Sequence, residues 1–145
     1  MSETRLEGKT ILIVDDDEDI RSSIALTIRA EGANVVTAGD GIEAISLCQH
    51  TRLDAIILDV MLPRQSGFLV LEKIQEMSDP PPVVMVTANQ GKRHMTYAEN
   101  LGVKAYLYKP VALQRLVDTV VELCQSGKDI EESDEKTIEE VSDPD

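Results

Sequence analysis

Four short hydrophobic runs in this chain each end on a polar or charged residue. Residues 11–14 end at Asp15 and Asp16, residues 55–58 at Asp59, residues 83–86 at Thr87, and residues 105–108 at Lys109. An apolar run of four to eight residues followed by turn residues is typical of a strand buried on both faces. The polar groups therefore lie at the carboxyl ends of predicted strands, the edge at which open α/β sheets bind ligands.

The segments between these runs carry apolar residues at helical spacing. Residues 18–30 place Ile20, Ile24, Leu26 and Ile28 on one predicted apolar face before the glycine at 32, which suits a left-handed cap. Residues 34–38 form a short predicted strand. Further helices are predicted through His50 with Asp40 as cap, from Ser66 and Gly67 with Phe68, Leu71 and Ile74 inward, over 91–101, and over 113–123. The 91–101 helix has few large apolar anchors, which predicts loose attachment.

Strands and helices thus alternate along most of the chain. Five successive βα units with right-handed crossovers give a parallel sheet covered by helices on both faces, so the predicted fold class is doubly wound α/β. No Gly-x-Gly-x-x-Gly motif follows the first strand, and the chain contains no Gly-x-x-x-x-Gly-Lys phosphate loop. Both absences argue against a nucleotide-binding protein.

Composition limits the partners and the compartment. The net charge of −13 opposes binding to nucleic acid or to an anionic membrane. No apolar stretch approaches the roughly 20 residues that span a bilayer, and the residues after Met1 do not resemble a signal peptide. The expected location is therefore the cytoplasm, with Cys48 and Cys124 as buried, reduced thiols and His50 and His94 at the surface.

The acidic residues are concentrated at the carboxyl terminus. Residues 126–145 carry nine acids against Lys128 and Lys136, a charge of −7 that leaves −6 for the rest of the chain. Such a segment cannot bury enough apolar surface to offset its ordering entropy, so we expect a disordered tail, a linker or a frayed helical extension. Residues 1–8 are interpreted as an N-terminal extension and 9–125 as one domain. Whether the chain acts alone or as the front part of a longer regulator stays open.

The residues at the strand ends resemble a known family. Asp15-Asp16, Asp59 with Pro63 and Gly67 behind it, Thr87-Ala88 and Lys109-Pro110 are similar in order and spacing to the receiver domain of two-component response regulators. The resemblance covers residues 9–125. It implies a flavodoxin-like three-layer sandwich whose five-stranded sheet has the order 2-1-3-4-5.

The predicted site chemistry centres on three carboxylates. Asp15, Asp16 and Asp59 in one cleft repel each other unless a cation is present, and oxygen ligands of this kind suit Mg²⁺, with Mn²⁺ as an alternative. By resemblance, Asp59 accepts a phosphoryl group from the phosphohistidine of a sensor histidine kinase or a histidine phosphotransfer protein. Asp16 is expected to bind the metal directly, Asp15 through water, and Met61 through its backbone carbonyl.

The resemblance also implies roles for four residues that lie in the fifth strand or follow the fourth and fifth strands. Lys109 is expected to pair with Asp59 before transfer and with the phosphoryl oxygens afterwards, and a cis bond is expected before Pro110. Thr87 is expected to move onto the phosphoryl group while Tyr106 turns inward. The face made by the fourth helix, fifth strand and fifth helix would then signal to an unknown downstream protein or output domain, with a monomer that dimerises on phosphorylation as one possibility.

Three alternative interpretations compete with this one. A pseudo-receiver that serves only as an interaction scaffold is disfavoured because all five polar site residues are present. A haloacid-dehalogenase-type hydrolase needs Asp-x-Asp, but Met61 stands two residues after Asp59. An EF-hand loop is excluded because Ile20 and Leu26 replace its required glycine and glutamate. We therefore expect no enzyme activity beyond the domain's own phosphorylation and dephosphorylation.

Overall fold

The computed structural model describes residues 4–88 and 92–125. Within them, five strands alternate with five helices: β1 (Thr10–Val14), α1 (Glu18–Arg29), β2 (Asn34–Ala38), α2 (Gly41–His50), β3 (Ala55–Asp59), α3 (Gly67–Gln75), β4 (Val83–Thr87), α4 (Lys92–Asn100), β5 (Ala105–Tyr108) and α5 (Leu113–Gln125). The predictions for residues 126–145, for the first three residues and for the start of the fourth helix at residue 91 lie outside the described residues.

The five strands form one parallel sheet in the order β2-β1-β3-β4-β5. This order confirms the predicted doubly wound, flavodoxin-like fold class. In the register of the sheet, Val14 of β1 lies level with Leu58 of β3, and Asp59 lies level with Val86 of β4. The carboxyl ends of the three central strands therefore meet at one edge.

Local capping explains where three helices begin. The carboxylate of Asp17 accepts hydrogen bonds from the backbone N–H groups of Asp19 and Ile20, which starts α1. Asp40 accepts from the N–H of Glu43 at 2.8 Å, which confirms the predicted cap of α2. Ser66 caps α3 in the same way. Each cap satisfies a backbone donor that lacks a partner within its helix.

The hydrophobic core lies in two layers, one on each face of the sheet. Alternate residues of β1 divide between them, with Ile11 and Ile13 facing one layer and Leu12 and Val14 the other. Helices α1 and α5 cover the first layer and α2, α3 and α4 cover the second. The core thus holds the carboxyl edge of the sheet between two rigid layers.

The predicted apolar face of α1 is only partly correct. Ile24 and Ile28 are buried, but Leu26 is 71 % exposed and Ile20 is 36 % exposed. Leu26 lies about 200° around the helix from Ile24, since each residue turns the helix by about 100°. Ala25 is buried instead, and it completes the inward stripe.

Of the two predictions about α4, one needs correction and the other stays a prediction. Met95 and Ala98 are buried, and the ring of Phe68 in α3 packs edge-on against His94 and Tyr97, with centroid distances of 5.5 and 5.1 Å. The α4 helix therefore contacts α3 through these rings, and its predicted loose attachment stays a prediction. His94 is half-buried rather than a surface residue.

The two cysteines are free thiols. Cys48 is buried as predicted, whereas Cys124 is only half-buried. Burial raises the pKa of each thiol to about 11. No helix in the described ranges is long and apolar enough to cross a lipid bilayer.

Candidate functional site

An acidic cluster lies at the carboxyl edge of the sheet. Asp15 follows β1 directly, Asp59 is the last residue of β3, and Asp16 stands at the start of the turn into α1. One carboxylate oxygen from each of the three lies within 4.8 Å of the others. Asp15 and Asp59 are buried, at 3 % and 4 % exposure, while Asp16 is exposed. The predicted trio is therefore brought together, with one open side at Asp16.

Lys109 supplies a positive charge to this cluster. Its ammonium lies 3.0 Å from Oδ2 of Asp15 and 3.3 Å from Oδ2 of Asp59. The predicted pairing with Asp59 is thus present, but Asp15 is a second and shorter partner. Three carboxylates face one ammonium, so the cluster keeps an excess of negative charge that a divalent cation can offset. The peptide bond between Lys109 and Pro110 is cis.

The surroundings disfavour a charged Asp59. Burial raises its pKa above the usual range, the positive charge of Lys109 opposes that rise, and the negative charge of Asp15 adds to it. The backbone N–H of Met61 donates to Oδ1 of Asp59 at 3.2 Å. For Lys109, burial acts to lower the pKa, but the hydrogen bond to Asp15 and the charge of Asp59 outweigh it and raise the pKa.

Hydrogen bonds from three different residues hold Asp15. Oδ1 of Asp15 accepts from the N–H of Asp17 at 2.9 Å, while Oδ2 accepts from Lys109. The backbone carbonyl of Asp15 accepts from Nη1 of Arg21 at 2.8 Å. Arg21 was missed by the sequence reasoning, because nothing in its spacing distinguishes it from a solvent-facing arginine of α1.

The donor set fits a hard divalent cation. Carboxylate oxygens are the ligands that Mg²⁺ prefers, and it retains several waters when it binds proteins. Asp16 gives the cluster an exposed carboxylate, whereas both oxygens of Asp15 already have hydrogen-bond donors. The side chain of Met61 is 58 % exposed, and its N–H bond to Asp59 keeps its backbone against the cluster.

Thr87 and Tyr106 lie on the two strands beyond Asp59. Thr87 ends β4 and is fully buried, and its carbonyl accepts from the N–H of Lys109 at 2.8 Å. Tyr106 of β5 is also fully buried, and among the described residues its hydroxyl has no hydrogen-bond partner. Burial raises the pKa of that hydroxyl, with a smaller contribution from Tyr108. The ring of Tyr108 packs edge-on against it at 5.6 Å.

Gly67 links the start of α3 to the cluster. Its N–H donates to the carbonyl of Val60 at 2.8 Å. A Cβ atom at this position would overlap the backbone carbonyl of Asp59 and the Cα of Val60. Only glycine allows the helix to approach the acidic strand end this closely.

An apolar groove opens beside the cluster. It has a volume of about 550 Å³ and lies between α1 and the chain that follows Lys109. Its apolar lining includes Ile20, Ile24, Pro110, Val111 and Leu113. Ile20 was predicted to face the core, and its position at this groove accounts for its exposure.

A doubly wound domain with an acidic cluster and a lysine at its sheet edge belongs to a recognisable class of signalling domains. The family model for the response regulator receiver domain matches residues 11–121 of this chain. The chain therefore belongs to the response regulator receiver domain family, and its acidic pocket is typical of phosphoryl acceptance.

Relatives agree with this assignment. Response regulator MprA of Mycobacterium sp. (strain KMS) is 36 % identical over 107 residues, which cover 74 % of this chain and 46 % of that protein. Probable transcriptional regulatory protein TcrX of Mycobacterium tuberculosis is 35 % identical over 115 residues, covering 78 % of this chain and 49 % of that one. This chain thus spans about half the length of the curated relatives that it matches.

Solved structures share the fold. The receiver domain of the Francisella response regulator 1452 has a TM-score of 0.78 at 26 % identity, covering 83 % of this chain and 100 % of that one. The receiver domain of the sensor histidine kinase PA1611 from Pseudomonas aeruginosa PAO1 has a TM-score of 0.75 at 27 % identity, covering 82 % and 99 %. That second structure has a magnesium ion coordinated in its active-site cleft.

Proposed function

We propose that Asp59 is the phosphoacceptor of this receiver domain, and that a sensor histidine kinase or a histidine phosphotransfer protein is the donor. The observation that carries the proposal is the pairing of buried Asp59 with Lys109 beside two further carboxylates. Asp15, Asp16, Asp59 and the backbone carbonyl of Met61 are the proposed ligands of Mg²⁺, or of Mn²⁺ in its place. The metal supplies neutralising charge for the phosphoryl oxygens.

The transfer exchanges one bond to phosphorus for another. A carboxylate oxygen of Asp59 attacks the phosphorus of the donor phosphohistidine, and the bond from phosphorus to the imidazole nitrogen breaks. The electron pair of that bond stays on the imidazole, and the product is an acyl phosphate on Asp59. The ammonium of Lys109 is within reach of Asp59 at 3.3 Å, so it can hold a phosphoryl oxygen without a large movement.

The apolar groove supports a protein donor. A phosphohistidine reaches Asp59 only if its protein covers the sheet edge, and the groove places Ile20 and Leu113 at that edge. Exposed apolar patches bordered by polar residues are typical of protein contacts. We therefore assign the groove to the donor protein as part of the proposed function.

Thr87 and Tyr106 are the proposed switch. The Thr87 hydroxyl moves onto a phosphoryl oxygen, and Tyr106 changes its packing in response, which alters the face made by α4, β5 and α5. Because the Tyr106 side chain is already fully buried, the inward turn predicted from the sequence becomes a rearrangement within the core. Moving a two-state equilibrium from 1:99 to 99:1 takes about 5.5 kcal/mol of differential interaction. A few hydrogen bonds to a charged group, at roughly 1.5–3 kcal/mol each, can supply that difference.

The same proposal covers the remaining sequence predictions. The domain carries out no chemistry besides its own phosphorylation and dephosphorylation, works in the cytoplasm, and does not itself bind nucleic acid or membrane. It is a monomer that can dimerise on phosphorylation, and it signals to a downstream protein or output domain.

The test uses a small phosphodonor. With acetyl phosphate and Mg²⁺, intact-mass spectrometry should record the gain of one phosphoryl group in the unaltered chain and none in Asp59→Asn. Asp16→Asn should slow the gain by weakening the metal site, whereas Asp19→Asn, which changes an exposed acid of α1 outside the cluster, serves as a matched control. An equal mass gain in Asp59→Asn would contradict the assignment, and no gain in any chain would favour an interaction scaffold.

A further inference from the structure

Arg21 lies on the first turns of α1, beside the acidic cluster but outside it. Its Nη1 donates to the backbone carbonyl of Asp15 at 2.8 Å across the turn between β1 and α1. The bond is partly buried and has a charged donor, so it is stronger than a hydrogen bond between neutral groups. It spans the turn that carries both Asp15 and Asp16.

The space that Arg21 occupies depends on Gly39. A Cβ atom at position 39 would lie only 3.3 Å from Nη1 of Arg21. Gly39 follows β2, the edge strand beside β1, and the N–H of Asp15 donates to Ala38 at the end of that strand at 3.1 Å. The end of β2 and the guanidinium therefore hold the backbone of Asp15 from both sides.

Every polar group of Asp15 has a partner. The N–H and carbonyl contact Ala38 and Arg21, and the two carboxylate oxygens contact Asp17 and Lys109. The carbonyl of Asp15 and the N–H of Asp16 belong to one planar peptide unit. An anchor on that carbonyl consequently sets the direction in which the chain enters Asp16, the exposed carboxylate of the cluster.

We propose that Arg21 is a positioning residue for the metal site and acts by orienting the peptide unit between Asp15 and Asp16. The inference rests on the proposed function, because it takes the acidic cluster to be a Mg²⁺ site. Groups that orient metal ligands without touching the metal commonly change metal affinity by about 10- to 100-fold when they are removed.

The direction in which Mg²⁺ affinity changes when Arg21 is replaced shows whether Arg21 acts by orienting the peptide or only through its charge. Arg21 is positive, so if it acted only through its charge, its removal would tighten Mg²⁺ binding by reducing repulsion. If it orients the peptide, its removal weakens binding although the local charge has become more favourable. A loss of general stability would not by itself change the Mg²⁺ affinity of the folded fraction.

The experiment measures Mg²⁺ dissociation constants by calorimetric titration and stability by urea unfolding in EDTA. Arg21→Met and Arg21→Gln should weaken Mg²⁺ binding by about 10-fold. Arg21→Lys keeps the charge but not the planar guanidinium, so its Mg²⁺ affinity should lie between that of Arg21→Met or Arg21→Gln and that of the unaltered chain. Arg29→Met, an exposed arginine of the same helix, makes the same change in net charge and should leave the affinity unchanged.

A substitution at Gly39 tests the same contact without removing the charge. Gly39→Val should displace the guanidinium and weaken Mg²⁺ binding in the unaltered chain, with no added effect in Arg21→Met. If neither Arg21→Met nor Arg21→Gln folds, the Gly39→Val result decides the question. The inference is overturned if a folded Arg21→Met or Arg21→Gln chain binds Mg²⁺ as tightly as the unaltered chain or more tightly. It is also overturned if Gly39→Val binds Mg²⁺ as tightly as the unaltered chain.

The Asp16→Asn chain distinguishes failure of the role inferred for Arg21 from failure of the proposed function. If the unaltered chain binds Mg²⁺ and Asp16→Asn weakens the binding, the metal site stands whatever Arg21 does. If the unaltered chain binds no Mg²⁺, both the metal site and the role of Arg21 fail.

Discussion

Gly67 contacts the acidic cluster through backbone alone. Its N–H bonds to Val60, and no side chain fits between α3 and the carbonyl of Asp59. Close backbone approach of this kind leaves no flexible group that could move aside. The position of Asp59, the proposed phosphoacceptor, thus depends on a residue that carries no chemistry of its own.

Gly67→Ala should therefore cost about 3 kcal/mol of unfolding free energy, because the added methyl group forces the strand end and the helix apart. Gly39→Ala is the matched control, since its methyl group meets only the end of the Arg21 side chain, at 3.3 Å, rather than backbone, and it should cost less than about 0.5 kcal/mol. Urea unfolding in EDTA measures both. Equal stability of the two variants would contradict the packing argument.

The two thiols allow a second prediction at the residue scale. Burial raises the pKa of Cys48 and Cys124 to about 11, compared with an ordinary value of 9.0. Thiolate is the reactive form, and its population rises with pH through the pKa, so at pH 8 each native thiol should react about 100-fold more slowly with iodoacetamide than an exposed one. Mass spectrometry of native and urea-unfolded protein measures the two rates. Equal rates in both states would show that the thiols are not protected.

Sequence patterns predict some residues of the site better than others. Asp15, Asp59 and Thr87 could be predicted to converge, because a parallel sheet brings its strand ends to one edge. The contact of Arg21 with Asp15 could not, because it depends on which way a long side chain turns across a loop. The shorter distance from the Lys109 ammonium to Asp15 than to Asp59 could not be predicted either, because it also depends on the conformation of a long side chain.

At the scale of elements, helical periodicity predicts where the helices lie better than it predicts which residues of each helix face the core. All five helices lie where the pattern places them, yet Leu26 of α1 faces outward. A spacing of two residues cannot keep Leu26 on the same side of the helix as Ile24 and Ile28, so the apolar face predicted for α1 is too wide. The contacts that join α4 to α3 could not be predicted, because aromatic contacts between helices leave no local signal in the sequence.

One face of α3 forms that attachment. Phe68 contacts the rings of α4, Glu72 accepts a hydrogen bond from the Tyr97 hydroxyl at 2.8 Å, and Gln75 donates to the carbonyl of Leu101 at 2.8 Å. These three residues of α3 are spaced by four and three positions, so they share one side of the helix. The face that is proposed to signal is thus tied to the helix that begins beside Asp59.

Phe68→Ala should release α4 more than any other element. The side chain is half-buried, so the expected cost is about 2 kcal/mol, roughly half the value for a core phenylalanine. Hydrogen exchange should accelerate most in residues 93–100. Tyr97→Phe keeps the ring and loses only the bond to Glu72, so it should leave exchange in α4 close to that of the unaltered chain. Uniform acceleration across the sheet after Phe68→Ala would contradict a local anchor.

At the scale of the whole molecule, the core and the charge are distributed unequally. Every buried apolar residue among those described lies between Leu6 and Leu123. Residues 126–145 carry −7 of the net charge of −13. The buried apolar core of the described residues and more than half of the net charge therefore lie in different parts of the chain.

Deleting residues 126–145 should leave the cooperative unit intact. The urea m-value reports the surface exposed on unfolding, so it should not change, and at high salt the unfolding free energy should stay within about 0.5 kcal/mol of that of the full chain. At low salt the shortened chain should be slightly more stable, because a net charge of −6 repels itself less than one of −13. Phosphorylation by acetyl phosphate should be unaffected. A lower m-value after the deletion would mean that the acidic segment packs against the domain.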